Sequence, residues 1–229
     1  MDWLKEYKRW RENADNKTQN ELKDLSEDEI RDRFYKYLEF GTGGLRGIMG
    51  AGANRMNIYT VRKATQGIAN EINELGDDAK NRGVVIAYDS RNNSYEFALE
   101  AAKVLCANGI KTYLFDALRP TPELSFSVRY LKCIRGIVIT ASHNPKEYNG
   151  YKVYGEDGGQ IPPVAAERII KYINCIDVFE DVKICEKPEY IKIGKEFDDA
   201  YLNAVYEQSL HTHICIYSMK SHLTNADLM

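Results

Sequence analysis

Apolar positions along the chain follow two spacings, one typical of amphipathic helices and one typical of short buried strands. Helical spacing occurs first over residues 27–38 and again over 58–75, and a glycine-dense segment lies between them. Beyond residue 82, the two spacings alternate and predict strands at 83–88, 110–115, 136–140 and 151–154, and helices at 97–105, 121–131 and 162–174. Strands separated by helices of this length indicate an α/β fold, a three-layer α/β/α domain with a mixed, largely parallel sheet.

The two ends of the chain differ from this middle part. Residues 1–25 are polar and predict a helical lead-in with little core of its own, and residues 176–195 look like a connector before a last helix at 196–210. Residues 211–229 carry three of the four histidines and only two charged side chains. We therefore expect a first domain over 1–185, followed over 186–229 by a linker, the incomplete start of a second similar domain and an atypical tail.

Composition narrows the class of protein. The net charge of −3, with 44% hydrophobic and 28% charged residues, is that of an ordinary globular chain and favours neither nucleic acid nor a membrane surface as partner. The charged segment Met1–Arg11 lacks the apolar run of a signal peptide. The five cysteines are scattered and never in C-x-x-C spacing, which favours reduced thiols over a disulfide framework or a zinc site. The expectation is a cytoplasmic protein.

The glycine-dense segment is a first candidate site. Residues 41–47 read Gly-Thr-Gly-Gly-Leu-Arg-Gly, in which Arg46 occupies the third glycine position of the dinucleotide pattern, and no Gly-Lys-Ser/Thr follows. Glycines allow backbone N–H groups to approach an anion, and Arg46 offers a fork of donors to phosphate oxygens. A tight turn packed for steric reasons, with Arg46 in solvent, is the alternative, and spacing alone leaves both open.

A second candidate site follows the predicted strand 136–140. It reads Thr-Ala-Ser-His-Asn-Pro over 140–145 and continues to Lys152, at the carboxyl end of a strand, where open α/β sheets bind ligands. Ser142 is a possible nucleophile beside His143, but neighbouring side chains of an extended segment point to opposite faces, so a direct contact is doubtful. The hydrolase pattern G-x-S-x-G is absent. A polar turn, with Ser142 and Asn144 bonded to the backbone, remains an alternative.

Together these segments resemble a known family. Thr140–Pro145, followed by Asn149-Gly150-Tyr151-Lys152, is similar to the phosphoserine motif of the α-D-phosphohexomutases, the phosphoglucomutase/phosphomannomutase group. Phe40–Gly47 resembles the N-terminal loop of that family. Tyr88–Arg91 and Pro120-Thr121-Pro122 also lie where such a chain carries them. The resemblance extends from about residue 35 to 210.

The resemblance implies a reversible phosphoryl shift between O1 and O6 of a hexose phosphate through a bisphosphate intermediate. Ser142 would carry the phosphoryl group, His143 would lie close to the sugar, and Lys152 would assist proton transfer. Arg46 would neutralise the phosphate, and Thr42, Gly43 and Asn144 would bind substrate. Mg²⁺, with the Ser142 phosphate as one ligand, and glucose 1,6-bisphosphate as activator are the implied cofactors.

The chain also departs from the family pattern. The Asp-Gly-Asp-x-Asp-Arg metal loop, the sugar-recognition loop and the distal phosphate loop are not found in its 229 residues. We therefore expect the start of a longer family chain, cut short as a gene fragment or by a frameshift. The alternative function is a catalytically incompetent remnant that at most binds phosphosugar.

Overall fold

The computed structural model describes residues 2–209, and the expected atypical tail at 211–229 lies outside them. The helices are α1 Trp3–Asn13, α2 Asn16–Glu21, α3 Glu27–Phe34, α4 Ile58–Leu75, α5 Asp77–Arg82, α6 Ser94–Ala107, α7 Thr121–Tyr130, α8 Pro163–Cys175 and α9 Lys195–Glu207. The strands are β1 Gly44–Ile48, β2 Val84–Tyr88, β3 Thr112–Phe115, β4 Arg135–Ile139, β5 Tyr148–Tyr154 and β6 Ile191–Ile193.

The strands form one mixed sheet in the order β1-β5-β4-β2-β3-β6. The strand β2 pairs in parallel with both β3 and β4, as expected where helices connect neighbouring strands. The strand β5 reverses direction and lies antiparallel between β4 and β1. The expected α/β fold with a mixed sheet is confirmed, and the reversal puts β1 and β5 beside the carboxyl end of β4.

Helices cover both faces of the sheet. Helix α4 packs against both α6 and α8, and apolar side chains of the three helices join those of β2, β3 and β4 in the main core. Helix α7 packs on the other face, where Val128 lies against Gly136 of β4. Residues 2–192 form one compact unit, and the second unit contributes residues 193–209 to the described part of the chain, including α9.

The N-terminal helices have a core of their own, which corrects the expectation for residues 1–25. Trp10 is 1% exposed and lies edge-on to Phe34, Tyr59 and Phe179, with ring centroids 5.0–5.7 Å apart. Leu22 is fully buried in the same cluster. Few apolar residues suffice here because several of them are large and aromatic, and an aromatic ring removes much apolar surface from water.

Two of the differences from the sequence-based expectation lie beside or within the glycine-dense segment. The predicted helix at 27–38 ends at Phe34, because the N–H of Leu38 donates to the carbonyl of Ala53 instead of continuing the helix. A strand, β1, runs through the glycine segment that was expected to be a loop, and Leu45 and Arg46 alternate between core and solvent along it. Capping boxes at Ser26 and Asn57 begin α3 and α4.

In the described part of the chain, no helix combines the length and the apolar character needed to cross a bilayer.

Candidate functional site

The candidate site lies where parallel strands β2 and β4 end. Residues 140–147 connect β4 to β5, and we call them the serine loop. The turn after β2 lies beside this loop, because the N–H of Asp89 donates to the carbonyl of Ile139 at 3.1 Å. Carboxyl ends of neighbouring parallel strands meet at one sheet edge, which is where α/β proteins bind ligands.

Ser142 has a left-handed backbone conformation, with φ of 58°, and its side chain is exposed. This conformation costs a residue with a Cβ atom about 1–2 kcal/mol. Both backbone polar groups of Ser142 have partners, since its N–H donates to Oγ1 of Thr140 at 3.0 Å and its carbonyl accepts from Nη2 of Arg91 at 2.7 Å. Neighbours therefore hold Ser142 in a strained conformation, a pattern that clusters at functional sites.

The left-handed backbone brings Ser142 and His143 together. Oγ of Ser142 lies 3.3 Å from Nδ1 of His143. The sequence-based expectation that the two side chains point apart was wrong, because it assumed an extended segment, and the positive φ of Ser142 breaks the alternation of an extended chain. The serine hydroxyl consequently has a proton acceptor or donor within reach, depending on the tautomer of the imidazole.

Arg91 holds the serine loop from the side of β2. Its Nη2 donates to the carbonyls of Ser142 and Asn144 at 2.7 and 2.6 Å. Its Nη1 donates to the carbonyls of Pro145 and Tyr148 at 2.9 and 3.2 Å. One guanidinium group thus donates to four backbone carbonyls. Three of them belong to the serine loop, outside any helix or strand, and the fourth belongs to the first residue of β5.

A second layer of hydrogen bonds supports the turn that carries Arg91. Oδ1 of Asp89 accepts from the Arg91 N–H at 3.0 Å and from the Ser94 hydroxyl at 2.7 Å. Nδ2 of Asn149, which is fully buried, donates to Oγ of Ser94 and to the carbonyl of Asn92, both at 3.0 Å. The network joins the turn after β2 to the first part of β5.

Two cations lie on the neighbouring strands. In the register of β1 with β5, Gly44 is opposite Lys152 and Arg46 is opposite Gly150, so Arg46 and Lys152 share a face as diagonal neighbours. Nη1 of exposed Arg46 donates to Oδ1 of Asn144 at 3.2 Å, which ties β1 to the serine loop. Burial and then the charge of Arg46 lower the pKa of Lys152, and the charge of Asp89 opposes them.

Thr42 and Gly43 precede β1. Thr42 is exposed, and the carbonyl of Gly43 accepts from the N–H of Val153 at 2.8 Å. A backbone hydrogen bond therefore holds Gly43 to β5. The hydrogen bond between Arg46 and Asn144 instead connects β1 to the serine loop, which carries Ser142. Hydrogen bonds and strand register thus bring together Ser142, His143, Asn144, Arg46 and Lys152 among the predicted site residues.

Sequence reasoning missed the role of Arg91, Asp89 and Asn149. The Tyr88–Arg91 segment was noticed only as part of the family resemblance. The available signal was a tripeptide with charged ends directly after a buried strand. The partners of Arg91 are backbone carbonyls, which every residue carries, so the amino-acid sequence does not indicate them.

No group of three or more acidic, histidine or cysteine side chains that could hold a metal ion occurs within residues 2–209. Arg46 of β1 donates to Asn144 of the serine loop, and Lys152 of β5 lies on the same face of the sheet. This set fits an anion such as a phosphate rather than a divalent cation.

Comparisons with known proteins identify the family of the chain. The family described as "Phosphoglucomutase/phosphomannomutase, alpha/beta/alpha domain I" matches residues 37–178. A phosphoglucomutase of Staphylococcus saprophyticus is 44% identical over 170 residues, which are 74% of this chain and 30% of the relative. A phosphoglucomutase of Staphylococcus epidermidis is 49% identical over 137 residues, which are 60% of this chain and 24% of the relative.

A solved structure shows the same fold. The crystal structure of a candidate phosphomannomutase from Thermus thermophilus aligns with a TM-score of 0.59 and 29% identity, over 69% of this chain and 33% of that one. The chain spans about a third of the length of the curated relatives it matches. The family match includes β1, the turn after β2, the serine loop and β5. The chain therefore belongs to the phosphoglucomutase/phosphomannomutase family, through its α/β/α domain I.

Proposed function

We propose that the chain carries the phosphoserine half of a phosphosugar mutase site, which moves a phosphoryl group between O1 and O6 of a hexose phosphate. The observation that carries this proposal is the position of the exposed Ser142 hydroxyl, 3.3 Å from Nδ1 of His143 on a loop bonded to Arg46. In the forward step, a sugar hydroxyl attacks the phosphorus of phosphorylated Ser142. The bond from phosphorus to Oγ breaks, and the sugar becomes a bisphosphate.

The charges around Ser142 support this step. A phosphoserine carries about 1.5–2 negative charges near pH 7 and needs cations to hold it. Arg46 offers its remaining donors to the phosphate, and Lys152 adds a second positive charge from β5 once it has taken up the proton of the attacking hydroxyl. Phosphoryl transfer depends mainly on positioning and charge neutralisation. In the proposal, Thr42, Gly43 and Asn144 bind the sugar phosphate.

Lys152 is proposed to take the proton of the attacking hydroxyl. Burial, and next the charge of Arg46, lower the pKa of Lys152. At a given pH, the neutral fraction of its amine is therefore larger than that of an exposed lysine. His143 remains beside Oγ of Ser142, where it can return a proton when the phosphoryl group leaves.

Mg²⁺ and glucose 1,6-bisphosphate are the proposed cofactors. Phosphorylated Ser142 would offer phosphate oxygens to the metal, which would supply charge stabilisation to the transferring group. The described residues do not complete such a coordination shell, since no further cluster of metal-binding side chains is found within residues 2–209. Every step assigned above therefore uses the side chains of this chain alone.

The domain assignment stays a prediction. We propose residues 1–185 as the phosphoserine domain, and 186–229 as a linker and the start of a second domain. Because the curated relatives are about three times as long as the matched segment, we expect these 229 residues by themselves to accept phosphate at Ser142 without sustained isomerisation.

The test is a coupled glucose 1-phosphate assay with Mg²⁺ and glucose 1,6-bisphosphate, run beside intact-mass measurement, with Ser142→Ala as control. A mass gain of one phosphoryl group that the control lacks supports Ser142 as the acceptor. Turnover above the control assigns mutase activity to this chain, whereas phosphate gain without turnover is the result expected for a phosphoserine site that these 229 residues alone cannot turn over, which is the remnant alternative. An unmodified wild-type chain would contradict the proposal.

The contact between Ser142 and His143 also favours a second candidate, a serine hydrolase. A hydrolase needs a third group that orients the histidine, and no hydrogen bond from the His143 ring to an acidic side chain is found within residues 2–209. Labelling of Ser142 by a fluorophosphonate probe would support the hydrolase, and an unlabelled Ser142 would exclude it.

A further inference from the structure

We propose that Arg91 is a positioning residue for phosphoryl transfer, which holds the Ser142 hydroxyl in its reactive place through the backbone of the serine loop. The inference rests on the proposed function of Ser142. The side chain of Arg91 forms no hydrogen bond with the Ser142 hydroxyl, Arg46 or Lys152, so its role is carried by its bonds to the backbone.

The donors of the Arg91 side chain are all directed at oxygen atoms of the protein. Four bonds of 2.6–3.2 Å go to the carbonyls of the serine loop and the first residue of β5. Nε lies 3.6 Å from Oδ2 of Asp89. The side chain is 16% exposed, so little of it faces solvent. Because the four N–H groups of Nη1 and Nη2 donate to carbonyls and Nε pairs with Asp89, the geometry directs no donor of Arg91 at a substrate phosphate.

The bond to the Ser142 carbonyl acts on a strained residue. The N–H of Ser142 is held by Thr140, and its carbonyl is held by Arg91, so the two bonds define its left-handed backbone from both sides. A strained conformation persists only where the surrounding structure over-determines it. Removal of the Arg91 bond leaves the Thr140 bond alone, and the Ser142 backbone is then free to return to its ordinary conformations.

The Asp89 carboxylate fixes Arg91 in turn. It pairs with Nε and accepts the backbone N–H of Arg91, and the Ser94 hydroxyl bonds to the same carboxylate. The guanidinium group therefore reaches the serine loop from a rigid base at the end of β2. Position is thus transmitted from the end of β2 to Ser142 through the Arg91 side chain.

A lysine at position 91 is a poor substitute. The four carbonyls are met by two nitrogens of a planar fork, whereas a lysine presents three donors on one nitrogen. Arg91→Lys thus keeps the positive charge and the long side chain and loses the simultaneous contact with separate carbonyls. Arg82 offers a matched control, because it also bonds a backbone carbonyl, that of Lys132 at 3.0 Å, and also pairs with a carboxylate, that of Glu156.

The experiment uses the full chain and three variants, Arg91→Lys, Arg91→Ala and Arg82→Ala. The first readout is the rate of Ser142 phosphorylation by glucose 1,6-bisphosphate, followed by intact mass over a range of bisphosphate concentrations. The second readout is amide hydrogen exchange of peptides from the serine loop and from α4. Thermal unfolding separates these effects from a general loss of stability.

We expect Arg91→Lys to lower the maximal phosphorylation rate by roughly tenfold to a hundredfold, because a misplaced nucleophile loses that much. The bisphosphate concentration at half-maximal rate should change by less than about threefold, since Arg91 makes no contact with phosphate. Exchange should rise in the serine loop and stay unchanged in α4. Arg82→Ala should leave all three quantities at their wild-type values.

A rate and a loop exchange equal to wild type in both Arg91 variants would overturn the inference while Ser142 phosphorylation stands. A large rise in the half-maximal concentration with an unchanged maximal rate would also overturn it, because it would make Arg91 a phosphate-binding residue. If wild-type Ser142 accepts no phosphate, the proposed function fails. Loop exchange in the Arg91 variants then decides separately whether Arg91 holds the loop.

Discussion

Arg46 and Lys152 lie diagonally opposite each other on β1 and β5, and the guanidinium charge adds to burial in lowering the pKa of the Lys152 ammonium. The two residues come from segments more than 100 positions apart, and only the antiparallel register of the two strands brings them to one face of the sheet.

Arg46→Met should raise the pKa of Lys152 towards the usual lysine range, because the variant removes one of the two causes that lower it. In the wild type, the unfolded chain binds more protons than the folded one between the lowered pKa and the usual value, so Lys152 makes stability rise with pH across that window. This pH range should be narrower in Arg46→Met than in the wild type. NMR titration of ¹³C-labelled lysine side chains measures the shift, with Arg82→Met as control, and an unchanged Lys152 titration would contradict the prediction.

Ser142→Gly should be more stable than Ser142→Ala by about 1 kcal/mol, because only the alanine variant retains a Cβ atom in the left-handed conformation. Both variants lack the hydroxyl, so neither should accept phosphate. Urea denaturation compares the two free energies of unfolding. An alanine variant as stable as the glycine variant would show that Ser142 does not hold a positive φ in solution.

Gly150→Ala should destabilise the fold by about 2 kcal/mol or more, since a Cβ atom there would lie 2.5 Å from the carbonyl oxygen of Thr140 and 3.0 Å from that of Leu45. Both contacts are to backbone atoms of the segments on either side of β5. The clash is relieved only if the strands move apart. Gly41→Ala is the matched control, as its nearest contact would be 3.8 Å, and it should change stability by less than about 0.5 kcal/mol. Equal losses in the two variants would refute this packing argument.

Trp10→Ala should cost about 3–5 kcal/mol, the usual loss for a large aromatic side chain removed from a core. The indole is 1% exposed, lies edge-on to three rings and donates Nε1 to Oε1 of Glu6 at 3.1 Å. Trp3, the other tryptophan of the chain, is half-buried at the border of the same cluster, and Trp3→Ala should cost less. Thermal unfolding ranks the two variants, and the reverse order would mean that the N-terminal helices do not dock as described.

Most of the sheet was predictable from sequence, because its central strands are short apolar runs between amphipathic helices. Both Val84–Tyr88 and Arg135–Ile139 are buried at every position, as strands covered by helices on both faces are. The strand Gly44–Ile48 was missed, because glycine is depleted in strands and nothing local requires extended backbone there. Pairing with β5, far along the chain, is what makes it a strand.

The site was predictable in part for a similar reason. The residue types of the serine loop and its place after a strand indicated chemistry at Ser142. The contact of Ser142 with His143 depends on the positive φ of Ser142. A glycine would have signalled a positive φ in the sequence, but this position is a serine. The bonds of Arg91 reach across 51–57 positions to backbone oxygens that every residue carries, so no side-chain pattern could indicate them.

The strand β1 lies at one end of the sheet and is held there by pairing with β5. Side chains along a strand alternate between faces, so a slip of one residue in that pairing would exchange the places of Leu45 and Arg46. A guanidinium group would then enter the apolar core, and a leucine would stand beside Lys152. The free-energy penalty for burying that charge therefore destabilises a molecule assembled in the wrong register.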